Sequence, residues 1–153
     1  MEPAYFRLVG SWRLADWKVF TEAGPVDPPL GPAERCTGLL IYTPEATMSA
    51  HLTLMDRPRF ADASLDGGSS REKAAAYGSI ISYAGTWDLD EATDTVVHHV
   101  RMATFPNFVG IDLERVCVFE DDDTLRLDTP PMLMGGEARA SYVLWRRTNG
   151  RNG

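Results

Sequence analysis

Little in this chain could staple, chelate or anchor it. Among its 153 residues are two cysteines and three histidines. Two cysteines allow at most one disulfide, and a chain of this length can bury roughly 70% of its unfolded surface without one. Cys117, between Val116 and Val118, reads as core filler, and Cys36 as a reduced thiol in a loop. Positive charge is also scarce, with 15 Lys and Arg against 22 Asp and Glu, a formal net charge of −7. Such a surface repels a phosphate backbone, and no basic stripe interleaved with aromatics runs through the chain. Its only basic cluster is Arg146-Arg147 with Arg151. Neither nucleic acid nor an anionic membrane is an expected partner. No apolar run approaches the ~18 residues of a membrane span. The segment Met1 to Arg7 lacks the basic and apolar regions of a secretory leader, so a cytoplasmic setting is expected. Also missing are a G-x-S-x-G elbow, a Walker loop, a dinucleotide fingerprint and a C-x-x-C pair. Asp121-Asp122-Asp123 lacks the ligand spacing of a calcium loop and reads as a solvated turn. No metal and no cofactor are expected.

What the chain has in quantity is period-two alternation broken by turn residues. Strand candidates are Ser11–Phe20, Thr37–Thr43, Thr47–Leu54, Tyr83–Leu89, Thr95–Thr104, Asp112–Glu120, Thr124–Asp128 and Ala138–Arg147. In the first, Trp12 and Leu14 share one parity and Trp17 and Val19 the other, which predicts a bulge near Ala15-Asp16. Ala23 to Pro32 is a Pro/Gly-rich loop, and Arg57 to Ser69 is irregular. Ser69 and Glu72 have the spacing of a capping box, opening the only convincing helix, Arg71–Ile81. Consecutive hairpins make an antiparallel meander. The fold expected is all-β: a closed eight-stranded up-and-down barrel with one short helix, a single domain over 1–153 with its core at about 8–147. A sandwich is the alternative. The tail Thr148 to Gly153 is polar and expected to fray.

Gly10-Ser11-Trp12-Arg13-Leu14 looks like the G-x-W opening of lipocalins. Further segments are Gly38-Leu39-Leu40-Ile41-Tyr42-Thr43-Pro44, Met48-Ser49-Ala50, Arg57-Pro58-Arg59-Phe60 and Tyr83-Ala84-Gly85-Thr86-Trp87. Val97-His98-His99-Val100 and Phe105-Pro106-Asn107-Phe108-Val109-Gly110 complete the set. With these the chain resembles, from Leu8 to about Arg146, the bacterial lipocalin-like domain family, some of whose members lie in biosynthetic clusters. The resemblance implies a lipocalin-like barrel and small-ligand binding, without an agreed reaction. It also implies that Trp12 packs beneath Arg146 or Arg147 and closes one barrel end, through a cation–π contact of about 0.5–2 kcal/mol.

Strand parity selects the candidate site residues. Val96, His98, Val100 and Met102 form the more apolar face of their strand, placing His98 inside and His99 outside. Adjacent histidines on a strand point apart and cannot chelate one metal together. His98 is either a core histidine bonded to a tyrosine or backbone carbonyl, or a ligand-recognition or acid/base group. Arg115 shares a face with Leu113, Cys117 and Phe119. Pointing inward, it would bind a carboxylate, enolate or phenolate; in the opposite parity Val116 and Val118 are inside. Tyr42, Tyr83, Trp87 and Tyr142 are candidate cavity lining or ordinary core. Phe105 and Phe108 would make a lid at one rim or a contact patch for a homodimer. Asn107 would offer its amide to a ligand or satisfy the turn.

Three functions follow from these residues. The first is binding of a small hydrophobic metabolite, in a setting of bacterial secondary metabolism. The second is a cofactor-free cyclase, isomerase or dehydratase acting on a polyketide-like or terpenoid substrate, with His98 and Arg115 as its catalytic groups. The third is haem binding through His98.

Overall fold

Alternating apolar residues can bury only one face of a strand, and here the strands curl until that face is enclosed. The structure, a computed structural model, describes residues 3–148; the remainder of the tail expected to fray, from 149 onward, lies outside them. A five-residue helix α1 (Ala4–Leu8) precedes β1 (Gly10–Thr21) and the short β2 (Gly24–Val26). Then come β3 (Cys36–Tyr42), β4 (Thr47–Leu54), helix α2 (Ser70–Tyr77), β5 (Ile80–Asp90) and β6 (Thr95–Ala103). The last strands are β7 (Asp112–Asp121), β8 (Thr124–Met134) and β9 (Glu137–Arg147). From β3 to β9 each strand pairs antiparallel with the next, β1 pairs with β3, and β9 returns to β1. Eight strands thus close an all-β barrel, with β2 an appendage on the end of β1.

The expected bulge in β1 lies between Leu14 and Asp16. It lets Trp12 and Leu14, then Trp17 and Val19, all turn inward, and Trp12 and Val19 are fully buried. A second irregularity, between Ala84 and Gly85, bends β5 around the barrel. A Cβ on Gly85 would fall on the His99 carbonyl oxygen, so the tight approach of β5 to β6 there requires glycine.

Three boundaries, the end of α2, the start of β5 and the end of β8, differ by more than one residue from the sequence expectation. Helix α2 has its capping box, with the Ser69 side chain accepting from the Glu72 amide, but stops at Gly78. Ile80 and Ile81 instead pair with Thr53 and Leu52 on β4, where β-branched residues fit better than in a helix. Strand β8 runs on past Asp128 to Met134. Its prolines 130 and 131 lack amide hydrogens, and a register shift between Thr129 and Met132 accommodates them. Helix α1 and β2 carry no periodic signal long enough to predict.

Candidate functional site

One end of the barrel is shut. Trp12 is buried there, its Nε1 donating to the Leu8 carbonyl at 2.9 Å. The Arg147 guanidinium lies 4.2 Å above its ring and donates to the carbonyls of Val9 (2.9 Å) and Arg7 (2.6 Å). Of the two arginines left open by the resemblance, Arg147 makes the contact; Arg146 is exposed. Helix α1 lies across the same end. Tyr5 stacks on Trp87 at 4.3 Å, its hydroxyl donates to the Pro44 carbonyl, and Leu8 is fully buried. Five residues could not hold a helix alone; these packing contacts do.

The other end is open. Between the plug and the opening lies a cavity of about 320 Å³, at the lower end of the roughly 300–1,000 Å³ usual for small-molecule sites. Trp17, Leu40, Ala50, Leu52, Leu127, Val143 and Trp145 form its apolar wall, and Pro29, Leu30, Tyr77, Phe105, Phe108 and Leu133 line it toward the mouth. Polar groups are few: Tyr83, His98, Thr104, Arg115, Thr129 and Ser141.

His98 is only 1% exposed, and both ring nitrogens are engaged. Nε2 lies 2.6 Å from the Tyr42 hydroxyl, and Nδ1 lies 2.8 Å from the Tyr83 hydroxyl. Burial, reinforced by the nearby Arg115 and His99 charges, holds the His98 imidazole well below its ordinary pKa, so it is neutral at pH 7. Burial likewise pushes both phenols up, that of Tyr83 against the opposing effect of the Arg115 guanidinium. The Cys117 thiol is pushed up to about 12 by burial and is inert.

An eight-stranded antiparallel barrel, plugged by an arginine over the G-x-W tryptophan and hollow behind it, is a lipocalin-like arrangement. Residues 9–148 match the family described as the lipocalin-like domain. The chain belongs to that family. Over 107 residues this lipocalin-like chain is 29% identical to the 4'-hydroxy-3'-methoxypropiophenone carrier protein of Aspergillus oryzae, covering 65% of this chain and 96% of that one. Among solved structures it is similar to a redesigned β-barrel, with 13% identity, 97% and 98% of the two chains covered and a TM-score of 0.48. It is also similar to a de novo designed fluorescence-activating β-barrel, with 10% identity, 97% and 100% covered and a TM-score of 0.45.

The lipocalin-like barrel brings Tyr83, His98, Arg115 and Phe105 to the cavity and sets Tyr42 behind His98. Arg115 takes the inward parity, since Leu113 and Cys117 are buried and Val116 is 40% exposed. Three sequence candidates lie elsewhere. Trp87 is buried but belongs to the plug, packed between Tyr5 and Tyr42 with its Nε1 bonded to the Thr43 carbonyl. Tyr142 is on the outer face, against Phe20 and Arg126, because Ser141 and Val143 take the inward positions of β9. Asn107 is exposed in the short 3-10 turn Pro106–Phe108. Phe108 packs edge-on against Tyr83 (6.0 Å) and Phe105 (5.1 Å), so these aromatics shape the mouth. Tyr77, Thr129 and Ser141, missed by sequence reasoning, also line the cavity. Thr129 and Ser141 carried a signal in the inward parity of their strands.

His99 faces outward between Asp88 and Asp112, each 2.7 Å from a ring nitrogen, and hydrogen bonds to Asp112 and then Asp88 raise its pKa. The adjacent His98 and His99 of this lipocalin-like domain therefore act in opposite senses. Below the ordinary value near 6.5 the unfolded chain binds a proton that buried His98 refuses, so stability falls as pH drops through that window. The His99 contribution is fully present below about 6.5 and is lost as pH rises through its raised folded value. Stability measured by denaturant titration is expected to peak near pH 6.5. His99→Gln should flatten the alkaline side alone; a wild-type profile still rising from pH 6.5 to 8 would contradict the assignment.

Proposed function

We propose that this protein is a carrier that holds a small hydrophobic organic molecule in its barrel without changing it chemically. The observation that carries this reading is a mostly apolar cavity, closed at one end, whose only imidazole is saturated. With a tyrosine on each nitrogen, His98 has no lone pair or N–H left to exchange a proton with a ligand, nor a free nitrogen for haem iron. Cyclase, isomerase or dehydratase chemistry with His98 as its acid or base would need such a group, so the geometry favours binding over turnover. The carrier named in Aspergillus oryzae supports the same reading and suggests an aryl ketone as the kind of ligand. A setting in secondary metabolism accords with such a cargo.

Filling the cavity tests this. Ala50 lies on the cavity wall and is 6% exposed. Ala50→Phe should place a ring in the space a ligand would take, weakening binding of 4'-hydroxy-3'-methoxypropiophenone at least about a hundredfold. The melting temperature should hold or rise, because the added ring packs against the apolar cavity wall. Unchanged affinity in calorimetric titration would place the ligand elsewhere.

A further inference from the structure

We propose that Tyr42, His98 and Tyr83 form a one-directional hydrogen-bond chain that leaves the Tyr83 O–H as a donor into the cavity, selecting ligands by an acceptor oxygen of the carbonyl type. The inference rests on the carrier reading of the cavity and adds which ligand atom is recognised and what fixes the polarity.

A neutral imidazole has one N–H and one lone pair, so one tyrosine donates to His98 and the other accepts from it. Tyr42 is 1% exposed, and among the described residues its hydroxyl has no hydrogen-bond partner other than His98 Nε2. Were His98 to donate from Nε2, the Tyr42 proton would be buried with nothing to receive it, at a substantial desolvation cost. Tyr42 therefore donates to Nε2, the ring proton sits on Nδ1, and Nδ1–H donates to the Tyr83 oxygen 2.8 Å away. Tyr83 keeps its own proton. Beside it on the cavity wall is Arg115, whose guanidinium can only donate and cannot take that proton. The Tyr83 hydroxyl hydrogen thus points to the cavity, where a ligand oxygen can accept it. Arg115 adds a second donor and a positive charge at the same wall, favouring an oxygen that carries partial negative charge. Tyr42 and His98 are positioning residues: they fix the direction of a bond they do not themselves make to the ligand.

Two measurements test the proposal separately from the carrier reading. In the free protein, the histidine ¹⁵N resonances of His98 should show a protonated, pyrrole-type Nδ1 and an unprotonated, pyridine-type Nε2; the reverse assignment overturns the chain whatever binds. For recognition, propiophenone and propylbenzene match in shape and differ in the carbonyl oxygen. Wild-type protein should bind propiophenone about tenfold tighter than propylbenzene. In Tyr83→Phe the ratio of the two affinities should fall to about one. The resonance of propiophenone labelled with ¹³C at its carbonyl should move downfield on binding wild type and far less with the variant. Equal binding of the two probes by wild type overturns the donor proposal and leaves the carrier reading standing. Failure of both to bind overturns both.

Discussion

Trp12→Ala is expected to cost about 3–5 kcal/mol of folding stability, a large share of the roughly 5–15 kcal/mol typical of a domain. The side chain is wholly buried, and its loss opens a cavity in the plug that neighbouring strands, held by the barrel's closed register, cannot collapse to fill. Lost with it are the bond from Nε1 to the Leu8 carbonyl and the ring beneath Arg147. The N-terminal helix should loosen first, because Trp12 and Arg147 both bind its last carbonyls. A urea titration reads the loss in the midpoint, and protease sensitivity between Pro3 and Val9 reads the loosening. A shift worth less than about 1 kcal/mol would mean that the arginine and helix close the barrel without the ring.

His98→Leu is the second large effect, and its cause is polar. Leucine nearly conserves volume but leaves the hydroxyls of Tyr42 and Tyr83 without their partner. A buried unsatisfied group costs about 1–3 kcal/mol, with the heavier penalty at Tyr42, which is the more enclosed. The triple substitution Tyr42→Phe, His98→Leu, Tyr83→Phe should recover most of that loss, since replacing all partners with apolar groups removes the penalty rather than the packing. In both variants the decline of stability on acidification below about pH 6.5 should be weaker, because the group whose protonation opposes folding is gone. A triple variant no more stable than His98→Leu would show that the stabilisation lies in the shape of the ring and not in its hydrogen bonds.

The fold was legible in the sequence because period-two alternation survives in nearly every strand and the turns are punctuated. The parity break between Leu14 and Trp17 even located the bulge in β1. Boundaries were less legible where local and tertiary preferences compete. The Ala-rich run after Ser69 favours a helix, but Gly78 and the pairing of Ile80-Ile81 with β4 stop it sooner than propensity alone suggests. Proline also misled, since a strand with Pro130-Pro131 reads as ended at Asp128, whereas a register shift carries it on to Met134.

In the site, parity placed His98 with Val96 and Val100 on the inward face of β6, but not Met102, which is 65% exposed beyond the register shift opposite Ala84 and Gly85. It could not decide Arg115, whose strand has apolar residues on both faces, until burial of Leu113 and Cys117 did so. Neither could it reveal that Tyr42 and Tyr83 meet on one imidazole: they come from β3 and β5, and their convergence depends on the curvature and register of the whole barrel. Trp87 and Tyr142 show the converse limit. Inward parity does not say at which height along the barrel a ring sits, and Tyr142 has a polar handle that suits the outer surface as well as a cavity.

The most direct test of the carrier account is an isothermal titration of the wild-type protein with 4'-hydroxy-3'-methoxypropiophenone, followed by chromatographic recovery of the ligand. A carrier should show saturable binding of one molecule per chain, sharply weakened in Ala50→Phe, with the ligand recovered unchanged after prolonged incubation. Conversion of the ligand into a product, or binding that Ala50→Phe leaves untouched, would contradict it.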